Sequence, residues 1–137
     1  MTSNEPQASR ANDDGVAPNL AVHGKVSYMQ IPAVDVEKSA AFYAAVFGWT
    51  LRGDSNHRSF DDASGELIGA FMPGRAVSRE PGILPYVYVT GIDRTIAQIE
   101  AHGGEVVRAP YAEGDLWVAT FRDPAGNVIG VWQMGPR

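Results

Sequence analysis

The chain repeats itself. Ser59 to Phe71 reappears as Thr120 to Trp132, 61 positions later, and five of the thirteen positions are identical. The shared residues are Phe60/Phe121, Asp62/Asp123, Gly65/Gly126, Ile68/Ile129 and Gly69/Gly130. Upstream the match continues at an offset of 56, where Tyr28 to Leu51 lines up with Leu84 to Val107. An internal duplication limits the fold more than any single motif, because each copy is one supersecondary unit that needs a neighbour to bury its apolar face. It also places the functional surface where two related modules meet.

Periodicity gives each module the same order of elements. Lys25 to Ile31 alternates as a strand, with Ser27, Met29 and Ile31 on one face and Val26, Tyr28 and Gln30 on the other. Pro32 stops it, and Asp35 suits a helix N-cap. Val36, Ala40, Tyr43 and Phe47 recur at helical spacing, and Gly48 suits the position after the helix. A strand from Trp49 to Arg52 follows. His57 to Asp61 and Glu66 to Met72 then read as a hairpin. In the second module Leu84 to Val89 is a strand, Ile92, Ile96 and Ile99 mark a helix, and Glu105 to Ala109 is a strand. Leu116 to Phe121 and Asn127 to Trp132 close it as a hairpin across Asp123-Pro124-Ala125-Gly126.

The expected fold is therefore α+β: two tandem βαβββ modules pairing into a curved mixed sheet around a central cleft, with the helices outside. Residues 1–22 read as a mobile polar tail and residues 23–137 as one domain. Module one covers about 23–75, the linker about 75–82 and module two about 83–135. Alternation puts Tyr28, Gln30, Leu84, Tyr86 and Tyr88 on the cleft face. The 61-residue offset carries Leu67, Gly69 and Phe71 there with Val128, Gly130 and Trp132, unless a bulge flips the parity.

Composition excludes several function classes. A net charge of -5 argues against a nucleic-acid binder, which needs a basic patch. There is no cysteine, so disulfides, thiolate catalysis and thiolate metal sites are absent, and a cytoplasmic location fits. No run approaches ~18 apolar residues, so no membrane span is expected.

Ile31-Pro32 followed by Asp35, Phe42-Tyr43 with Phe47-Gly48-Trp49, Gly103-Gly104 and Asp123-Pro124-Ala125-Gly126-Asn127 together resemble the vicinal oxygen chelate superfamily, which includes glyoxalases, bleomycin-resistance proteins and extradiol dioxygenases. The resemblance runs from about Lys25 to Gln133. It implies metal ligands on the first, fourth, fifth and eighth strands of metal-dependent members. Here those positions fall on Tyr28, Gly69, Leu84 and Gly130. Leu and Gly cannot ligate and neutral Tyr is a poor ligand, so no metal or other cofactor is expected. The resemblance also implies a homodimer.

The candidate ligand-binding set is Tyr28, Gln30, His57, Phe71, Leu84, Tyr86, Tyr88 and Trp132. An aromatic cleft with an amide and a few hydroxyls suits a small molecule held by stacking and burial. The expected function is a metal-free binding protein that captures an aromatic or hydrophobic ligand. The alternative is an enzyme, a metal-independent isomerase or lyase of a small carbonyl metabolite, with Tyr28, Gln30 or His57 moving a proton. No catalytic residue is assigned.

Overall fold

The computed structural model describes residues 17–55 and 57–137. Module one contains β1 (Tyr28–Pro32), α1 (Val36–Phe47), β2 (Thr50–Asp54), β3 (His57–Asp61) and β4 (Ile68–Met72). Module two contains β5 (Tyr86–Tyr88), α2 (Ile92–Ala101), β6 (Glu105–Glu113), β7 (Leu116–Arg122) and β8 (Val128–Met134). Each forms a four-stranded mixed sheet, in the orders β1-β4-β3-β2 and β5-β8-β7-β6. The β1/β4 and β5/β8 pairs are parallel and the others antiparallel. This is the α+β tandem βαβββ architecture. Of the tail expected over residues 1–22, residues 1–16 lie outside the described residues. Leu20 is buried, and Asn19 Nδ2 donates to Gly65 O at 3.0 Å, so this end of the segment packs on the domain.

Local chemistry sets the element ends. Asp35 is extended and its carboxylate accepts from Lys38 N at 3.2 Å, which satisfies one of the unpaired amides of α1. Gly48 ends α1 at φ 74°, a left-handed conformation that costs a side-chain-bearing residue energy.

One continuous core serves both modules. Tyr43 stacks on Trp49 at 4.6 Å, Trp49 on Phe60 at 4.6 Å, and Phe60 lies 5.1 Å from Phe71. The other side of α1 reaches the second module, where Phe42 and Phe47 lie 5.9 and 6.0 Å from Phe121 of β7. Against the expectation of outer helices, α1 thus lies at the junction of the modules and also touches α2. The reason is the breadth of its apolar stripe: Phe42, Tyr43, Val46 and Phe47 cover more than one sheet can bury. Among the described residues the two sheets share no ladder, and β1 and β5 are both edge strands.

The offset of 61 fails inside the hairpins. In module one the turn closes from Asp62 N to Leu67 O, and in module two from Asp123 N to Asn127 O, one residue sooner. The extra residue in the first turn moves every later side chain of β4 to the opposite face. Gln30 pairs with Ala70 while Tyr86 pairs with Gly130, so the mate of Gly130 is Ala70, and Trp132 matches Met72. Phe71 and Gly69 consequently point into the core. Phe71 is buried against Tyr43, and a Cβ on Gly69 would strike the Phe60 ring and Met29 O.

Two consequences are measurable. Gly69→Ala is expected to lose about 1–3 kcal/mol in denaturant unfolding, because backbone as well as a fully buried ring must move. The Tyr43 hydroxyl donates to Asp123 Oδ2 at 2.8 Å, and burial, then the Asp123 charge and this hydrogen bond, hold its pKa well above the ordinary 10.0. A raised folded pKa gives stability that is full below the unfolded value and lost as pH rises through the folded one. Tyr43→Phe is therefore expected to cost about 1–3 kcal/mol at neutral pH, and the gap from the parent should narrow in urea titrations above pH 10. An unchanged gap across that range would separate Tyr43 from the alkaline transition.

Candidate functional site

Cross-strand register resolves the outer face of each sheet into rows. In module two, Tyr86, Gly130, Thr120 and Arg108 form one row across β5-β8-β7-β6. Tyr88, Trp132, Val118 and Tyr111 form the next. Tyr88 and Trp132 meet edge to face at 4.8 Å. The Tyr86 ring lies over Gly130, where any Cβ would meet it. Tyr86 and Tyr88 are each 44% exposed, so this aromatic surface is presented rather than packed away.

Arg108 and Tyr111 are additions that alternation hid. Three residues apart in a regular strand, they would face opposite sides. Register shifts on either side of Arg108 instead bring both onto the outer face, opposite Thr120 and Val118. The Arg108 guanidinium carbon sits 3.5 Å from the Tyr111 ring centroid. The strand expected over Glu105 to Ala109 continues through Pro110. As β6 is the edge strand, a missing amide donor is tolerated and the strand runs to Glu113. Burial, then the charges of Tyr111 and Glu113, raise the Tyr86 pKa, and Arg108 works in the opposite direction.

The outer face of module one has a different chemistry. Gln30, Ala70, Ser59 and Arg52 form the row that corresponds to Tyr86, Gly130, Thr120 and Arg108. Arg52 makes a two-pronged ion pair with Asp61, at 2.8 and 3.0 Å. Tyr28 and Gln30 are joined by a Gln30 Nε2 to Tyr28 hydroxyl hydrogen bond of 3.2 Å.

A groove of about 950 Å³ runs between the edges of β1 and β5. Tyr28, Gln30, Tyr86 and Tyr88 line it, with Phe47 of α1 and Arg94 of α2. Four of the eight candidate residues therefore come together across the module boundary. Trp132 joins them through Tyr88 on the same sheet face, outside the groove itself. Leu84 lies ahead of β5 and does not line the groove. Phe71 belongs to the core, displaced from the outer face by the longer first turn. His57 opens β3 beside Asp54, whose carboxylate accepts from His57 N at 3.1 Å, and it is not part of the groove lining.

The positions that the resemblance gives to metal ligands carry Tyr28 in β1, Leu84 ahead of β5 and Gly130 in β8, and Ala70 takes the outward place assigned to Gly69. None of these supplies the imidazole or carboxylate that a divalent ion takes, so the donor set does not fit one. Among the described residues no three His, Asp or Glu converge elsewhere.

Residues 25–131 match the model of the Glyoxalase/Bleomycin resistance protein/Dioxygenase superfamily, and the chain belongs to that superfamily. It is 29% identical over 132 residues to the anthracycline biosynthesis protein DnrV of Streptomyces peucetius, covering 82% of this chain and 48% of the relative. The chain thus spans about half the length of that curated relative. It is 43% identical over 94 residues to a glyoxylase-like domain-containing protein of Didymella fabae, covering 63% and 73% of the two chains. Among solved structures, TnmS3, an antibiotic binding protein from Streptomyces sp. CB03234, superposes with a TM-score of 0.64 at 24% identity over 84% of this chain and 98% of that one. A family enzyme from Burkholderia phytofirmans PsJN gives 0.68 at 21% identity, over 80% and 98%. These structural likenesses concern the fold. No helix among the described residues is long and apolar enough to cross a membrane.

The two glycines separate fold from site. Gly130→Ala displaces only the half-exposed Tyr86 ring, so its stability cost is expected to stay below about 1 kcal/mol while the tyrosine environment changes. Paired urea unfolding and tyrosine NMR shifts check this. A loss as large as that of Gly69→Ala would mean that Tyr86 is a packing residue.

Proposed function

We propose that this chain is a small-molecule binding protein that captures an aromatic or hydrophobic ligand between the aromatic face of module two and the β1 edge of module one, without a metal. The observation that carries this reading is the contiguous set of exposed Tyr86 and Tyr88 with half-buried Trp132, extended by Tyr111 and bordered across the groove by Tyr28 and Gln30. Aromatic faces bind planar ligands through burial and offset or edge-on contact, and the hydroxyls and the amide fix orientation. Two similar proteins point the same way: one is an anthracycline biosynthesis protein and the other an antibiotic binding protein. The metal-free part of the reading rests on the side chains at the positions where the superfamily resemblance puts ligands. Of the residues named for the isomerase or lyase alternative, His57 stands apart from the groove, while Tyr28 and Gln30 line it.

A second copy of the chain suits the groove's borders. Among the described residues the outer edges of β1 and β5 carry no ladder partner, and Tyr28 and Ile83 beside them are 51% and 90% exposed. We take the homodimer as the working form of the protein. Sedimentation at micromolar concentration is expected to show a particle of about twice the 14.7 kDa chain, and a lone monomer would count against it.

Binding is tested by titrating planar aromatic compounds against tryptophan fluorescence. Trp132→Ala is expected to weaken binding by about 1–3 kcal/mol in protein that remains folded. If affinity is unchanged in Trp132→Ala, Tyr86→Phe and Tyr88→Ala, the site lies elsewhere. Elemental analysis after dialysis checks the metal. About one divalent ion per chain, lost on chelation together with function, would refute the metal-free reading.

A further inference from the structure

The duplication offers an internal control for Arg108. Arg52 and Arg108 occupy the same row position in the two sheets, at the outer strand beside Ser59 and Thr120 respectively. In module one the guanidinium is neutralised by Asp61 on the neighbouring strand. The position corresponding to Asp61 in module two is Arg122, which pairs with Val128 just as Asp61 pairs with Ile68. Arg122 reaches away, toward the carbonyls of Gly126 and Arg79 at 3.4 and 3.5 Å. Arg108 is thereby left with no ion pair among the described residues. Glu105 and Glu113 share its strand, and neither forms one with it.

What holds Arg108 is the Tyr111 ring beneath it, at 3.5 Å. A guanidinium stacked on an aromatic face keeps its in-plane donors free for a second partner, and it matches a planar anion better than an ammonium would. Its charge is felt at the Tyr86 hydroxyl, where it favours the ionised form against the opposing effects of burial, Tyr111 and Glu113. Between the Tyr86 ring, which covers Gly130, and Arg108 the row is floored by the small residue Thr120. A flat molecule lying there would have an aromatic wall at one end and an unneutralised cation at the other.

We propose that Arg108 is a specificity-determining residue of the binding face, and that it selects planar aromatic ligands carrying an ionised acidic group, a carboxylate or phenolate, over neutral or cationic ones. This rests on the binding reading above and adds the sign of the ligand's charge, which the protein's own net charge of -5 would not suggest.

The test uses three probes of one shape: 2-naphthoate, 2-naphthamide and the ammonium form of 2-naphthylmethylamine, titrated against the intact chain by fluorescence and calorimetry. The parent is expected to bind naphthoate about tenfold more tightly than naphthamide, the range of one charge-assisted hydrogen-bonded contact, and the ammonium compound most weakly. In Arg108→Gln the naphthoate to naphthamide ratio is expected to fall to about one, and Arg108→Lys should restore part of it. Arg58→Gln, which removes a cation outside the groove that is paired with Glu37, should leave the ratio near the parental value. A ratio that survives Arg108→Gln, or one that collapses instead in Arg94→Gln, which removes the cation lining the groove, overturns the assignment. If all three probes bind the parent alike, or the ammonium compound binds best, charge selection is wrong and the binding function stands. If none binds, the binding reading fails and the inference fails with it.

Discussion

The Asp123 carboxylate holds the two modules in register. It is 3% exposed, and a buried charge of this kind is tolerable only when its lone pairs are filled. Oδ1 accepts from the amides of Ala125, Gly126 and Asn127, at 2.9 to 3.0 Å. Oδ2 accepts from the Tyr43 hydroxyl of α1 and from Asn127 Nδ2. Asn127 then extends the network, with Nδ2 also donating to Pro32 O at the end of β1 and Oδ1 accepting from Ser78 N in the linker. One side chain therefore ties the second hairpin to the first helix, and through Asn127 to the first strand and the linker. Burying such a network rewards a single arrangement, because each broken contact leaves a polar group dry. That arrangement sets where the β1 and β5 edges stand, and so the width of the groove between Tyr28 and Tyr86.

Much of this was readable from the chain. Hydrophobic period and cap residues placed both helices: Asp35 and Gly48 bound α1 as capping chemistry requires, and Ile92, Ile96 and Ile99 lie on the buried side of α2. His57 to Asp61 forms the strand that its pattern predicts. Asp123 was legible as a turn residue, but its hold on Tyr43 was not. That bond joins residues 80 apart, and nothing local marks it.

Parity was the weak point, for a physical reason. Sequence identity across the hairpins is highest when Gly69 is aligned with Gly130, yet a sheet responds to hydrogen-bonded register and not to identity. The longer first turn shifts that register by one, so a single residue carried Phe71 from the outer face to the core. The opposite error occurred at β6, where two register shifts put Arg108 and Tyr111 on one face. Bulges leave little trace in composition, and the strand expected to end at Ala109 runs on through Pro110, which an edge strand tolerates.

Duplicated modules begin with equivalent faces, and the differences between them locate the function. Module one closes its row with the Arg52–Asp61 pair and fills the middle with Ala70 and Ser59, a surface whose charge is already answered. Module two replaces the acid with Arg122 and gathers Tyr86, Tyr88, Trp132 and Tyr111 on one face. Half-exposed tyrosines are a standing opportunity: each apolar square ångström a ligand covers is worth about 25 cal/mol, so several rings together can hold a planar molecule without any reaction. The rigidity needed for such binding comes from the other side of the same sheet, where Val131 and Phe121 are fully buried. Alternation along β7 and β8 thus assigns anchoring to one face and recognition to the other, and the Asp123 network positions the second face against module one.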